Sequence, residues 1–174
     1  RGSIFETTGL LPTVLDVEID SNATVNRGGS TTMVLGINAL GTGQSRVLME
    51  FDLTNIPWPS AMTPTQMMLR LYQPGVSGTS STTIAAYPCS GFTESSVVWA
   101  TAPLCSTSEI TRSTLTLTNP FGWMEWDLTS LAQSNIANGN TTMTFMLAMV
   151  GSTGSSHSFY SSEYSNPAYR PHLV

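Results

Sequence analysis

Apolar and polar residues alternate along most of this chain. In "MMLRLYQ" (67–73) Met67, Leu69 and Leu71 fall on one face, and Met68, Arg70 and Tyr72 on the other. A period of two is the signature of a strand with one buried face. "TMTFMLAMV" (142–150) sets Met143, Phe145, Leu147 and Met149 on one side, and "TLTLT" (114–118) alternates throughout. Further strands are predicted at 14–20, 31–36, 46–53, 82–87, 96–100, 121–127, 157–162 and 168–174. Turn signals separate them: "NRGGS", "LGTGQ", "QPGVSGTSS", "TNPFG", "GSTGSS" and "SNP". Many short strands at this spacing predict an all-β fold, an antiparallel jelly-roll β-sandwich. One short helix is predicted near 130–138, in "SLAQSNIANG". Ser130 and Gln133 stand at capping-box spacing, and Asn138-Gly139 ends the pattern.

One short pattern occurs twice, "MEFDLTNI" (49–56) and "MEWDLTSL" (124–131). In both, Met, Phe or Trp, and Leu point inward, and an Asp ends the strand. Thr54, or Thr129 with Ser130, stands ready to cap the next turn or helix. The flanking residues do not repeat, so the echo is one strand-to-turn solution used twice rather than a duplicated unit. Glu50 with Asp52, and Glu125 with Asp127, make two carboxylate pairs that resemble a glycosidase acid and nucleophile. Neighbours at i and i+2 on one strand stand side by side, about 7 Å apart. The plainer reading is a polar strand face paired with Arg46 or Arg70.

Composition narrows the partners. The 174 residues fit one domain with a sizeable core. Only 10% are charged, against roughly 25% in a usual soluble domain. Lysine is absent, the formal net charge is −5, and 23 Ser with 25 Thr give a hydroxyl-rich surface. No basic stripe exists for nucleic acid, and an anionic membrane surface would repel the chain. The longest apolar run, "FMLAMV" (145–150), is far short of the ~20 residues of a membrane span.

Cys89 and Cys105 bracket a loop of disulfide length; two buried free thiols are the alternative. Asn22 and Asn140 head N-x-[ST] sequons and are candidate sites of covalent glycans. With the hydroxyl surface, these features predict a secreted, extracellular or cell-surface protein. Asp16, Glu18 and Asp20 form a row of hard oxygen ligands that a structural Ca²⁺ would suit, although three carboxylates on one strand do not encircle an ion. No cofactor motif is present. Trp58, flanked by prolines in "IPWPSA", is a candidate for stacking on a sugar ring, or for covering the end of the core. Trp99, Trp123 and Trp126 lie in strand patterns and are predicted core or half-buried.

The order of segments resembles a known family. "SRVLMEFDLTNIP", "MTPTQMMLRLYQ", "FTESSVVWATAP", "WMEWDLTSLAQ" and "SFYSSEYSNPAYRPHLV" succeed one another as in the DNRLRE-type β-sandwich domain, over about residues 15–174. That family includes disaggregatase-related surface repeats and an alginate-binding carbohydrate module. The resemblance implies a jelly-roll sandwich on an extracellular protein, with no catalytic residues of its own. An acidic chain without lysine departs from what gripping an acidic polysaccharide such as alginate requires.

Residues 1–14 precede that region and read as an N-terminal arm, with 15–174 a single sandwich domain. The arm lacks the basic and long apolar parts of a signal peptide. Ile4, Phe5, Leu10, Leu11 and Val14 need a surface to pack on. That surface is an edge of the chain's own sandwich or a neighbouring subunit. The first functional expectation is therefore a structural, non-enzymatic subunit of a glycosylated surface layer or filament. Copies of itself would assemble head-to-tail through the arm. The alternative is a non-catalytic carbohydrate-binding module for neutral glycans.

Overall fold

A computed structural model describes residues 11–12, 15–54, 64–118 and 121–174. The small sheet is ordered β1 (Leu11–Pro12), β12 (His172–Leu173), β5 (Met68–Gln73) and β9 (Gly122–Asp127). The large sheet is ordered β6 (Gly75–Ser77), β11 (Ser156–Tyr160), β3 (Thr32–Ile37), β4 (Gln44–Asp52), β10 (Thr142–Met149), β7 (Thr82–Pro88) and β8 (Thr111–Leu115). β2 (Leu15–Asp20) adds against β4. All pairings are antiparallel. The fold is the all-β sandwich expected, and its order is compatible with a jelly roll.

Alternation builds the core. Leu69, Leu71, Trp126 and Leu173 of the small sheet meet Met33, Leu35, Met49, Phe51, Phe145, Leu147 and Phe159 of the large one, all buried. Phe51 and Phe145 stack with ring centres 6.1 Å apart. Buried Trp126 must place its indole N–H, and it donates to Ile84 O at 3.1 Å, tying β9 to the opposite sheet. A second cluster lies on the outer face of the large sheet. There Val17, Ile19, Leu48, Val97, Met146 and Ala148 are roofed by Phe92, Trp99 and the cysteines.

Several strand boundaries differ from the sequence pattern. The predicted strand at 96–100 is a turn leading into a 3₁₀ helix at Trp99–Thr101, because this segment roofs the second cluster instead of joining a ladder. At 168–174 a 3₁₀ helix, Pro167–Tyr169, delays the strand to His172–Leu173. The "TLTLT" strand is displaced to Thr111–Leu115, where its register with β7 pairs Leu115 with Thr82. The glycine-rich turn at 73–81 contains the short strand β6. The helix α1 (Thr129–Ala137) begins one residue before Ser130, so the expected capping box does not form, and Gln133 Nε2 donates to Pro64 O. It ends as read, at Asn138-Gly139, where Gly139 takes φ +70°.

The echo has a common geometry. Asp52 Oδ1 accepts from Thr54 N at 2.8 Å and its hydroxyl at 2.5 Å. Asp127 Oδ1 accepts from Thr129 N at 3.0 Å and its hydroxyl at 2.6 Å. These bonds, the side-chain one foremost, hold both carboxyls below the usual range. Each Asp therefore closes a strand end rather than facing its Glu neighbour.

Of the arm, Leu11 and Pro12 pair with Leu173 and His172 of the same chain. Ile4, Phe5, Leu10 and Val14 lie outside the described residues. No described helix is long and apolar enough to cross a membrane.

Cys89 and Cys105 are joined as a disulfide at a sequence separation of 16. Closing a loop of that size stabilises by about 3 kcal/mol on the chain-entropy model. Adding reductant should lower the urea midpoint accordingly; an unchanged midpoint would show that the roof holds without the bridge.

His157 is fully buried in the large sheet. Its Nδ1 lies 2.8 Å from Gln73 Oε1 and its Nε2 2.9 Å from Thr82 Oγ1. Thr82 Oγ1 also accepts from Ser155 N at 2.7 Å, so its proton is free for Nε2, and the ring is neutral with its hydrogen on Nδ1. Burial lowers its pKa from 6.5 to about 4. The unfolded chain then takes up the proton first. Stability present above pH 6.5 is lost as pH falls toward 4, by up to about 3 kcal/mol. Asp16 acts in the opposite sense: burial raises it to about 6, so the folded state gains its proton first and offsets part of the loss. Urea titrations at pH 7 and 4.5 should show the stability gap between wild type and His157→Gln narrowing with acid. A constant gap would mean that the ring titrates alike in both states.

Candidate functional site

The same alternation that sends Leu69, Leu71 and Trp126 inward leaves Arg70, Tyr72, Trp123 and Glu125 on the outer face of the small sheet. The register sets Tyr72 opposite Trp123 and Arg70 opposite Glu125. Tyr72 is the hub of an aromatic group. Its ring centre lies 5.3 Å from Trp123, 5.9 Å from Tyr160 and 4.6 Å from Tyr169. Tyr164 stacks on Tyr160 at 3.6 Å with planes 11° apart. The Tyr164 hydrogen bond holds the Tyr160 hydroxyl above the usual phenol range. The Arg70 guanidinium lies 5.0 Å from the Trp123 ring centre. Its Nε stands 2.9 Å from Glu125 Oε1, off the line of a good hydrogen bond. His172 packs edge-on against Trp123 at 4.8 Å.

Tyr72, Trp123, Tyr160 and Tyr164 are each half-buried and Tyr169 is exposed. The result is a continuous aromatic platform with phenol hydroxyls and an Arg–Glu pair on it. Ring faces of this kind suit the C–H face of a sugar ring, and the surrounding polar groups suit its hydroxyls.

Most of this platform was missed by the sequence reading. Trp123 was expected to be core or half-buried, and it is half-buried on the outer face. Trp58, the expected stacking residue, lies outside the described residues. Two signals were available. Tyr72 and Trp123 occupy polar-face positions of alternating strands, and "SFYSSEYSNPAY" carries three tyrosines. What the sequence lacked was the pairing of β5 with β9 and the approach of β11 to both.

The other candidates have different surroundings. Asp16, Glu18 and Asp20 are buried and engaged by protein donors. Asp16 accepts from Ser162 N and Oγ at 2.7 and 2.8 Å. Glu18 accepts from Arg27, Val34 N and Ser45 Oγ. Asp20 accepts from Arg27, Asn22 N and Asn38 Nδ2. A Ca²⁺ would have to displace these donors, and among the described residues no group of three His, Cys, Asp or Glu is placed to hold a metal. Of the carboxylate pairs, Glu50 accepts from Thr144 Oγ1 at 2.8 Å and Glu125 faces Arg70.

Asn22 and Asn140 are both exposed, with their amide nitrogens 2.8 Å from Thr42 Oγ1 and 2.9 Å from Asn135 Oδ1. A polar cavity of about 370 Å³ lies beside α1, walled by Asn135, Asn140, Thr142 and Thr144. It is more concave than the platform, but no aromatic ring lines it.

No curated protein matches the chain. Residues 12–174, nearly the whole sequence, match the family model of carbohydrate-binding module family 96. The chain belongs to carbohydrate-binding module family 96.

Proposed function

We propose that this protein is a non-catalytic module that holds a neutral polysaccharide on the aromatic platform of its small sheet, in an extracellular setting. The observation that carries this reading is the unbroken run of half-exposed rings from Trp123 through Tyr72 and Tyr160 to Tyr164. A structural sandwich would gain nothing from leaving those rings partly in water. The disulfide is consistent with an oxidising compartment. The filament expectation draws no support from the family, and the only described pairing of the arm is with its own chain.

Neutral specificity is supported by how the arginines are used. Arg27 pairs with Glu18 and Asp20, Arg70 with Glu125, and Arg112 with Glu109. Arg46 stacks on Trp99, and Arg170 donates to Tyr164 O. These five leave no cluster of unengaged cations for a polyuronate among the described residues, and the net charge of −5 repels one.

Affinity electrophoresis through gels containing β-glucan, xylan, galactomannan or alginate tests the reading. Retardation is expected in at least one neutral gel and not in alginate. Trp123→Ala should weaken that binding at least tenfold, in line with loss of a central aromatic contact. Alginate bound more tightly than the neutral polymers would sink the proposal. So would wild-type binding by Trp123→Ala together with loss of binding in Trp58→Ala.

A further inference from the structure

Tyr164 reaches Tyr160 only because the chain reverses over residues 161–164, where Tyr164 N donates to Ser161 O at 3.2 Å. This turn is short, and nothing in its own sequence forces two aromatic rings to stack. It is pinned from outside at three points. Ser161 Oγ donates to Ser30 O at 2.5 Å, and Arg170 Nε donates to Tyr164 O at 2.7 Å. The third is Asp16, whose two carboxylate oxygens accept the Ser162 N–H and hydroxyl from 146 residues away.

We propose that Asp16 is a positioning residue for the glycan platform: by gripping Ser162 through both oxygens, it sets the turn that stacks Tyr164 on Tyr160. This rests on the reading of the platform as the binding face. Asp16 touches neither ring and acts only through the turn. Its backbone N–H is spent on Glu94 Oε1 at 2.8 Å, and Arg27 is engaged by Glu18 and Asp20, so among the described residues Ser162 supplies both hydrogen bonds to the carboxylate. A two-point grip fixes the direction of the turn as well as its place, which a single bond would not. An Asp buried without an arginine partner is costly for stability alone, since burial pushes its carboxyl up to about 6. Its geometry makes sense if the turn must be held in one arrangement.

Tyrosine bands in near-UV circular dichroism read the stack without any glycan, and the band that Tyr164→Ala removes identifies it. Folded Asp16→Asn and Ser162→Ala should both lose that band. Both should bind the best-retained neutral polysaccharide about three- to tenfold more weakly, the scale of one charged hydrogen bond. Combining them should cost no more than Asp16→Asn alone. A purely structural role would lower the unfolding temperature and leave band and affinity unchanged in the folded variant; that result overturns the proposal. Should Asp16→Asn fail to fold, Ser162→Ala keeps the carboxylate and decides by the same two readouts. If wild type binds none of the polysaccharides, the platform reading falls, while the tyrosine band still decides whether Asp16 sets the turn.

Discussion

A buried backbone N–H must have a partner, and in this sandwich one strand supplies it with side chains. β3 pairs with β4 only at Gly36 and Ile37 before the two diverge, and β2 takes the free edge of β4. The edge of β3 that faces β2 would be left with unpaired donors. Glu18 fills the gap by accepting Val34 N–H, Asp20 holds Asn38, and Asp16 reaches past β3 to Ser162. The row of acids thus acts as a side-chain substitute for missing ladder bonds. Desolvation raises Asp16 and Glu18, a cost accepted because an unpaired buried amide would also cost about 1–3 kcal/mol. Arg27 balances two of the three charges.

This arrangement links the large sheet to the end of β11, and hence to the small sheet's outer face. β9 shows how one strand serves both purposes. Trp126 points inward and donates across the core to Ile84, while Trp123, three residues earlier and so on the opposite face, stands in the aromatic platform. The inner indole fixes where β9 lies; the outer one is thereby presented at a fixed height beside Tyr72. Rigid presentation matters for a binding face of rings, because little side-chain freedom remains to be lost when a ligand arrives.

The chain spends its few charges inward or on one another. Few free cations and a hydroxyl-rich surface leave ring faces and neutral hydrogen-bonding groups as the means of recognition. The two carboxylate pairs that resembled a hydrolase's acid and nucleophile are used instead as strand-end caps, as an acceptor for Thr144 and as the partner of Arg70. A motif of reactive residue types carries no chemistry until the surroundings of each are known.

By itself the sequence determined what depends on local periodicity and closed local geometry. The two-residue alternation specified β4, β5, β9 and β10 and their inward residues. Asp-x-Thr specified the same capped strand end twice, and Asn138-Gly139 the end of the helix. Cysteine spacing was compatible with the bridge, yet free thiols remained equally open until the chain brought Cys89 and Cys105 together. The tertiary structure alone decided the rest. Trp99 had strand-like neighbours but became part of a roof, because no strand edge was left for it. The acids of β2 looked like cation ligands until the donors of β3 and of Ser162 came within reach. Tyr72, Trp123, Tyr160, Tyr164 and Tyr169 are scattered over nearly a hundred residues. They become one surface only through strand register and a turn held from the opposite sheet, and contacts at that separation leave no periodic trace in the chain.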